Sequence, residues 1–234
     1  MLLKAVLFDL DNTLMDRDNT FLSFTWQLVR ECLVPMEKDD ADKLVAEIIV
    51  RDADGYREKE GFFLELIDIL PWQQKPSLEE LQRYYNQYYM THAKVMDHAI
   101  DTLQACRNMG LRLGIITNGH SQLQHRKIDL LHLPDYFDEI VISGEVGLSK
   151  PDPQIYRLAL ERLGVGSNQC IIVGDHPRND IWGAAQVGIQ GIWLRRKHEW
   201  DEKLTMGKPW RTIMELDEVP GLLPQFEAGG VKKS

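Results

Sequence analysis

The chain has 234 residues, of which 44% are hydrophobic and 27% are charged, and it contains 17 glycines and 10 prolines. This composition is ordinary for a globular protein and excludes the collagen-like, coiled-coil and disordered classes. The formal net charge of −9 provides no general attraction to nucleic acid or to an anionic membrane, so we expect neither as a partner. An anionic ligand would have to be bound by a local group of cations.

The sequence has no uninterrupted apolar run of the roughly 18 residues that a membrane-spanning helix needs. The apolar run at residues 5–8 is also too short for the core of a signal peptide, so we expect a cytoplasmic protein. The cysteines, Cys32, Cys106 and Cys170, form no Cys-x-x-Cys pair and lie in apolar surroundings. That pattern indicates buried free thiols rather than disulfides or zinc ligands.

Short, continuous apolar runs recur along the chain and predict buried parallel strands. They cover residues 5–8, 111–116, 140–142, 170–173 and 189–194. Helical patterns separate the later runs, at residues 100–109, 153–163 and 180–187, and a glycine follows each of them. This alternation predicts an α/β fold with a doubly wound, Rossmann-like parallel sheet.

Between the first two predicted strands the sequence shows helical patterns only, at residues 21–33, 42–51, 61–70 and 78–91. We therefore predict an all-helical domain, residues 16–97, inserted after the first strand. The catalytic core would then comprise residues 1–15 and 98–234. An insert at this point of an α/β chain is expected above the carboxyl edge of the sheet, where such proteins bind ligands.

The first polar motif, Asp9-Leu10-Asp11-Asn12-Thr13, comes directly after the first predicted strand. Carboxylates two residues apart can face the same crevice while Leu10 packs away from it. Because two such carboxylates repel each other, the pair indicates either a hard metal ion or acid–base chemistry. Asp and Asn are also common in turns that leave strands, so this motif alone does not separate the two interpretations.

Three further motifs follow later strands. Thr117-Asn118-Gly119 offers a hydroxyl and backbone N–H groups to an anion. Lys150 precedes two prolines that restrict its position. Gly174-Asp175 ends the fourth strand, and Asp180 lies in the first turn of the next helix, as a site residue or as a helix cap. Taken singly, each motif has an ordinary structural explanation; together they place acids, a hydroxyl and a cation at one edge of the sheet.

In this order the four motifs resemble the haloacid dehalogenase superfamily, in its helical-cap (C1, subfamily I) phosphatase branch. The family pattern is Asp-x-Asp, then Ser or Thr, then Lys, then a Gly-Asp-x-x-x-x-Asp type motif. It is matched here without a gap by Asp9 and Asp11, Thr117, Lys150, and Asp175 with Asp180. The resemblance covers residues 1–15 and 98–200, whereas the insert resembles the family's cap by its position.

The resemblance implies a Mg²⁺-dependent phosphatase that acts on a small soluble phosphomonoester through an aspartyl-phosphate intermediate. Asp9, the backbone carbonyl of Asp11 and Asp175 would hold Mg²⁺, which oxygen-only ligands favour over zinc. Asp180 would hold Lys150 or a metal-bound water rather than the metal itself.

The same resemblance assigns the remaining steps. Asp9 attacks phosphorus, and Asp11 protonates the leaving oxygen and later takes a proton from water. Thr117, the N–H of Asn118 and Lys150 would bind the phosphoryl group and stabilise its developing charge. The cap is expected to exclude water during the transfer.

Other functions, within the family and outside it, require different residues or a different architecture. Dehalogenases and phosphonate-cleaving members lack an acid at the position of Asp11, so its presence argues against both. A phosphomutase or phosphotransferase keeps all four motifs, although such mutases usually have Gly where this chain has Asn12. A non-enzymatic phosphoacceptor module shares the carboxylate, Thr and Lys, but such modules have no cap and are about half this length.

The tyrosines of the insert bear on the substrate. Tyr84 with Tyr88 and Tyr85 with Tyr89 form two pairs at helical spacing. This spacing favours a packed interior of the cap. If the tyrosines instead faced the cleft, a nucleoside monophosphate would become an attractive substrate, with a sugar phosphate as the other small metabolite to consider.

Overall fold

The computed structural model describes residues 3–205 and 207–226. The chain divides into two compact units, one that ends at Asp16 and resumes at Val95, and a second that comprises Arg17–Lys94. The predicted core also includes residues 1, 2, 206 and 227–234, which lie outside the described residues. The assignment of the two units as catalytic core and cap stays a prediction.

The second unit is helical. It contains α1 (Arg17–Cys32), α2 (Lys38–Asp52), α3 (Lys59–Ile69) and α4 (Leu78–Tyr88). Helix α4 begins at a capping box, in which Ser77 and Glu80 each bond the other's backbone N–H, and a short 3₁₀ turn, Tyr89–His92, follows it. The α-helix predicted for residues 78–91 therefore ends earlier than expected, at Tyr88.

Aromatic side chains fill the interior of this unit. The rings of Tyr85 and Tyr89 are buried and stack with their centroids 4.7 Å apart and an interplanar angle of 12°. Phe24 meets the Tyr85 ring edge-on at 5.2 Å. The packed interior predicted from the tyrosine spacing is thus confirmed for these two residues.

The first unit is built on a parallel sheet. Within the described residues the sheet has six strands in the order β3-β2-β1-β4-β5-β6. They are β1 (Ala5–Phe8), β2 (Arg112–Thr117), β3 (Glu139–Ile142), β4 (Cys170–Gly174), β5 (Gln190–Leu194) and β6 (Arg211–Ile213). The predicted doubly wound fold is confirmed. The sequence did not predict β6, because two of its three residues are exposed and it therefore forms no apolar run.

Helices of the first unit flank this sheet. They are α5 (Ala99–Asn108), α6 (Ser121–Leu130), α7 (Ser143–Val146), α8 (Pro153–Leu163), α9 (Gly183–Ala185) and α10 (Val219–Leu222). Helix α8 has the predicted ends, because the Asp152 carboxylate accepts from the backbone N–H of Gln154 at 2.8 Å and Gly164 adopts φ 62°.

One predicted helix differs in kind. The segment expected to be α-helical over residues 180–187 begins instead with π-helical turns, Pro177–Trp182, which run into α9. π-Helical turns are uncommon and are frequent at functional sites, and this one carries Asp180.

All three cysteines are free, as predicted, and Cys106 and Cys170 are buried. The burial predicted for Cys32 is wrong, because its side chain is partly exposed. Over the part of the chain that the structure describes, every helix is too short or too polar to cross a lipid bilayer.

Candidate active site

The site begins where β1 ends. The backbone N–H of Asp9 donates to the carbonyl of Val173 at 3.0 Å, so strand pairing with β4 continues one residue past the strand and fixes Asp9 at the carboxyl edge of the sheet. The Asp9 side chain is buried, Leu10 is completely buried, and Asp11 is partly exposed. That Asp9 and Asp11 face the same crevice while Leu10 packs away from it stays a prediction.

A tight turn then holds the second carboxylate. The carbonyl of Leu10 accepts from the backbone N–H groups of Thr13, Leu14 and Met15, and the N–H of Asn12 donates to the carbonyl of Met15 at 2.7 Å. Asn12 adopts φ 61°, a left-handed conformation that asparagine tolerates better than most residues. This turn gives the backbone around Asp11 little freedom.

Lys150 joins two of the buried carboxylates. Its Nζ donates to Asp9 Oδ1 at 2.5 Å and to Asp180 Oδ1 at 2.6 Å, and all three side chains are buried. Thr13 Oγ1 donates to the other oxygen of Asp9 at 3.2 Å. The lysine predicted from the third motif therefore lies within hydrogen-bond distance of the predicted nucleophile.

Burial and charge act against each other on these groups. Burial raises the pKa of Asp9 to about 7, in spite of the opposing attraction of Lys150, and the negative charge of Asp180 adds to the increase. Burial alone would lower the pKa of Lys150, but Asp180 and Asp9 outweigh it and hold that pKa well above its usual range. Lys150 therefore stays a cation.

The same residues form a cluster of oxygen donors. Carboxylate oxygens of Asp9, Asp175 and Asp180 lie within 4.8 Å of one another, and all three residues are buried. Lys150 supplies one positive charge against these three acids. Because the donors are all oxygen and the negative charge exceeds the positive, the cluster fits a hard divalent cation such as Mg²⁺.

Asp180 lies close to the backbone of β4 because Gly174 has no side chain. A Cβ at Gly174 would lie 2.5 Å from the Cβ, Cγ and Oδ2 atoms of Asp180. The other contact of Asp180 is local, since its Oδ2 accepts from the backbone N–H of His176 at 2.9 Å. Asp180 is therefore a partner of Lys150 within the cluster as well as a stabiliser of its own turn.

The second motif connects to the third through Asn118. The Asn118 side chain donates to the carbonyl of Lys150 at 2.9 Å and accepts from the N–H of Lys150 at 2.8 Å. This two-bond pairing ties the end of β2 to the loop before α8. Thr117, at the end of β2, is buried and lies within hydrogen-bond distance of Gln124.

Two residues of the site were missed by the sequence analysis. Lys127 and Gln124 lie on α6, are almost completely buried, and both donate to the carboxylate of Asp11. Their spacing of three residues, on the face of α6 that is buried, was the available signal. Neither residue belongs to the four motifs, and a lysine or glutamine on a helix is more often solvated.

The predicted site residues form two groups in this unit. Asp9, Asp175, Asp180 and Lys150 form the buried cluster. Asp11 and Thr117 are linked through Gln124, and Asn118 is bonded to the backbone of Lys150.

Comparisons with known proteins agree with this geometry. A family model described as haloacid dehalogenase-like hydrolase matches residues 3–188. The glyceraldehyde 3-phosphate phosphatase of Methanothermobacter thermautotrophicus is 29% identical over 226 residues, which cover 94% of this chain and 98% of that protein.

Solved structures also resemble this chain. A HAD phosphatase from Thermococcus onnurineus is 30% identical, with a TM-score of 0.65 and coverage of 94% of this chain and 98% of that one. A protein described as a putative beta-phosphoglucomutase from Thermotoga maritima has a TM-score of 0.78 over 96% of this chain and all of its own, but its 22% identity shows a shared fold alone.

The match to a hydrolase family favours an enzyme over the phosphoacceptor module. The family model, the relatives and the buried cluster of acids around Lys150 agree with the resemblance drawn from the four motifs. The chain belongs to the haloacid dehalogenase-like hydrolase family and is a phosphoric monoester hydrolase.

Proposed function

We propose that the protein is a Mg²⁺-dependent phosphatase of small phosphomonoesters and that it works through an aspartyl-phosphate on Asp9. The observation that carries this proposal is the bond from Lys150 to the buried Asp9 carboxylate, at 2.5 Å, inside a cluster of three acids. A carboxylate held this way has a fixed direction of approach to an incoming phosphorus atom.

The acids of the cluster would have two tasks, to hold the metal ion and to hold Lys150. Asp9, Asp175 and the backbone carbonyl of Asp11 would hold Mg²⁺, and Asp180 would keep Lys150 in place. When bound, the ion offsets the negative charge that a carboxylate and a phosphate bring to the same place. The excess of three acids over one lysine supports this assignment.

The chemistry then follows from the side chains of this chain. An Asp9 oxygen forms a bond to phosphorus as the ester P–O bond breaks, and Asp11 delivers a proton to the departing oxygen. Asp11 next takes a proton from a water molecule, whose oxygen attacks the phosphorus of the acyl phosphate and releases Asp9. Thr117, the N–H of Asn118 and Lys150 would bind the phosphoryl oxygens during both steps.

For the substrate we propose a small phosphorylated metabolite. Glyceraldehyde 3-phosphate, the ester in the name of a relative that aligns along most of its own length, is the first to test. Other sugar phosphates and nucleoside monophosphates complete the panel of esters to be tested. The role of the helical unit as a cap that excludes water stays a prediction.

The test is release of inorganic phosphate from this panel and from p-nitrophenyl phosphate, with Mg²⁺ or with EDTA. We expect turnover that needs Mg²⁺ and that Asp9→Asn abolishes, whereas the control Asp129→Asn, an exposed aspartate of α6, keeps it. Rapid quenching and mass spectrometry of the peptide that contains Asp9 should detect the added phosphoryl group. Turnover by Asp9→Asn above about a tenth of the wild-type rate would remove Asp9 as the nucleophile.

A further inference from the structure

Two buried residues of α6 contact the side chain of Asp11. Lys127 Nζ lies 2.7 Å from both Asp11 Oδ1 and Asp11 Oδ2, and Gln124 Nε2 lies 3.1 Å from Asp11 Oδ2. Lys127 is 4% exposed and Gln124 is 1% exposed. Asp11 therefore receives donors on both of its oxygens from one face of one helix.

Gln124 extends this contact to the predicted phosphate-binding residue. Its Nε2 also lies 2.5 Å from Thr117 Oγ1. The amide nitrogen of Gln124 thus donates to both Asp11 Oδ2 and Thr117 Oγ1. The Thr117 oxygen is thereby used as an acceptor, and its own hydrogen is directed elsewhere.

The second motif is shaped to admit Gln124. Gly119 adopts φ 145°, and a Cβ at this position would lie 3.0 Å from Cδ and 3.1 Å from Cγ of Gln124. A larger residue at 119 would press on the Gln124 side chain. The glycine after Thr117 and Asn118 thus has a role beyond the turn, since it leaves room for the Gln124 amide between Thr117 and Asp11.

Stability is a poor explanation of the Lys127–Asp11 pair. Burying an ammonium group costs free energy that an ion pair only partly returns, so buried pairs contribute little net stability while they fix geometry. Here the lysine is buried, whereas the Asp11 side chain is 23% exposed. The pair therefore restrains the orientation of a carboxylate that is still partly exposed.

We propose that Lys127 and Gln124 are positioning residues, which hold the Asp11 carboxylate in the orientation that proton transfer needs and couple it to Thr117. This inference rests on the proposed function, in which Asp11 gives a proton to the leaving oxygen. As the P–O bond breaks, its electron pair goes to that oxygen, and the oxygen takes the proton from Asp11. A carboxylate that rotates freely would make this transfer less often.

The test compares two esters of similar shape. The p-nitrophenolate group leaves readily without a proton, whereas the phenolate of phenyl phosphate depends more strongly on one. For Lys127→Met we expect kcat/KM, which reports the first chemical step, to fall about 10–100-fold with phenyl phosphate. The fall with p-nitrophenyl phosphate should be several-fold smaller, and Lys127→Arg should recover part of the loss because it keeps the cation.

Gln124→Leu should show a different signature. It should raise KM for both esters, because Thr117 loses its partner, and should also reduce kcat/KM more for phenyl phosphate. The controls are Lys203→Met, which changes an exposed lysine outside α6, and Gln122→Leu, which changes an exposed glutamine of α6. Both controls should behave as the wild type. An equal loss on the two esters in Lys127→Met, with unchanged folding, would overturn the positioning role.

A crystal structure of Lys127→Met provides a readout that does not depend on activity. We expect the Asp11 carboxylate to turn away from its present place or to occupy more than one conformation. A carboxylate that keeps its position and order without Lys127 would refute the inference, whether or not the wild type is a phosphatase. Absence of turnover by the wild type on every ester would instead refute the proposed function.

Discussion

Replacement of Lys150 by methionine tests the electrostatic basis of the site. Methionine has a similar length and no charge, so Lys150→Met keeps much of the packing and removes the cation that joins Asp9 to Asp180. Two buried carboxylates are then left facing each other without the ammonium group. We expect a large loss of stability in the metal-free protein.

The magnitude follows from the burial of all three side chains. Removing one partner of a buried ion pair costs about 3–5 kcal/mol, because the remaining charge is left without compensation. For a unit of this size each kcal/mol lowers the melting temperature by about 2–4 °C, so the expected decrease is about 6–20 °C. The loss should be largest above pH 7. Burial raises the pKa of Asp9 to about 7 even though Lys150 lowers it, so the pKa should be higher still in Lys150→Met. Protonation of Asp9 below that pKa relieves the repulsion by Asp180.

Thermal unfolding in EDTA, at pH 8 and at pH 5.5, is the measurement. The control is Lys203→Met, a substitution of an exposed lysine that should change stability by less than about 0.5 kcal/mol. Added Mg²⁺ should stabilise Lys150→Met more than it stabilises the wild type, because the cluster has lost a positive charge. A melting temperature within 2 °C of the wild type at pH 8 would show that Lys150 does not compensate these carboxylates, and the reasoning would fail.

Three further substitutions follow from the contacts. Gly174→Ala places a methyl group 2.5 Å from Asp180, so we expect about 1–3 kcal/mol of destabilisation in urea unfolding and a lower phosphatase rate; unchanged activity would mean that Asp180 can move without consequence. In the helical unit burial raises the pKa of Asp52, but Arg17 and Lys59 outweigh this and lower it below its ordinary value. The charge of Asp52 therefore stabilises the unit above the unfolded pKa of about 4, and this contribution is lost as pH falls through the folded pKa. Asp52→Asn should cost about 3–5 kcal/mol at pH 7 and less at pH 3, as circular dichroism melts would show; a cost independent of pH would contradict the ionic interpretation. Ser77→Ala removes the cap of α4 and should cost about 1 kcal/mol, measurable by the same melts, whereas no change would show that the capping box is not needed.

The sequence predicted the sheet well because buried parallel strands are apolar on both faces. All five apolar runs that predicted strands agree within one residue at each end with an observed strand, namely β1, β2, β3, β4 and β5. Strand β6 has no such signal, since it lies at the sheet edge with two exposed residues. Edge strands of this kind are defined by their neighbour, which the linear sequence does not show.

The site was predictable to the extent that it lies at strand ends. Asp9, Thr117 and Asp175 follow directly from where β1, β2 and β4 end, because parallel strands direct their carboxyl ends to one edge. Lys150 and Asp180 needed the family pattern, since each is on a loop or turn whose course the local sequence does not determine.

What the sequence by itself determined is therefore the α/β class, the order of the motifs and the family that this order resembles. The tertiary structure alone decided the partners: that Lys150 bonds both Asp9 and Asp180, and that Lys127 bonds Asp11 across a separation of 116 residues. The physical reason is that local propensity depends on neighbouring residues and on periodicity. A buried charge, in contrast, takes its partner from whichever element the packing brings near it.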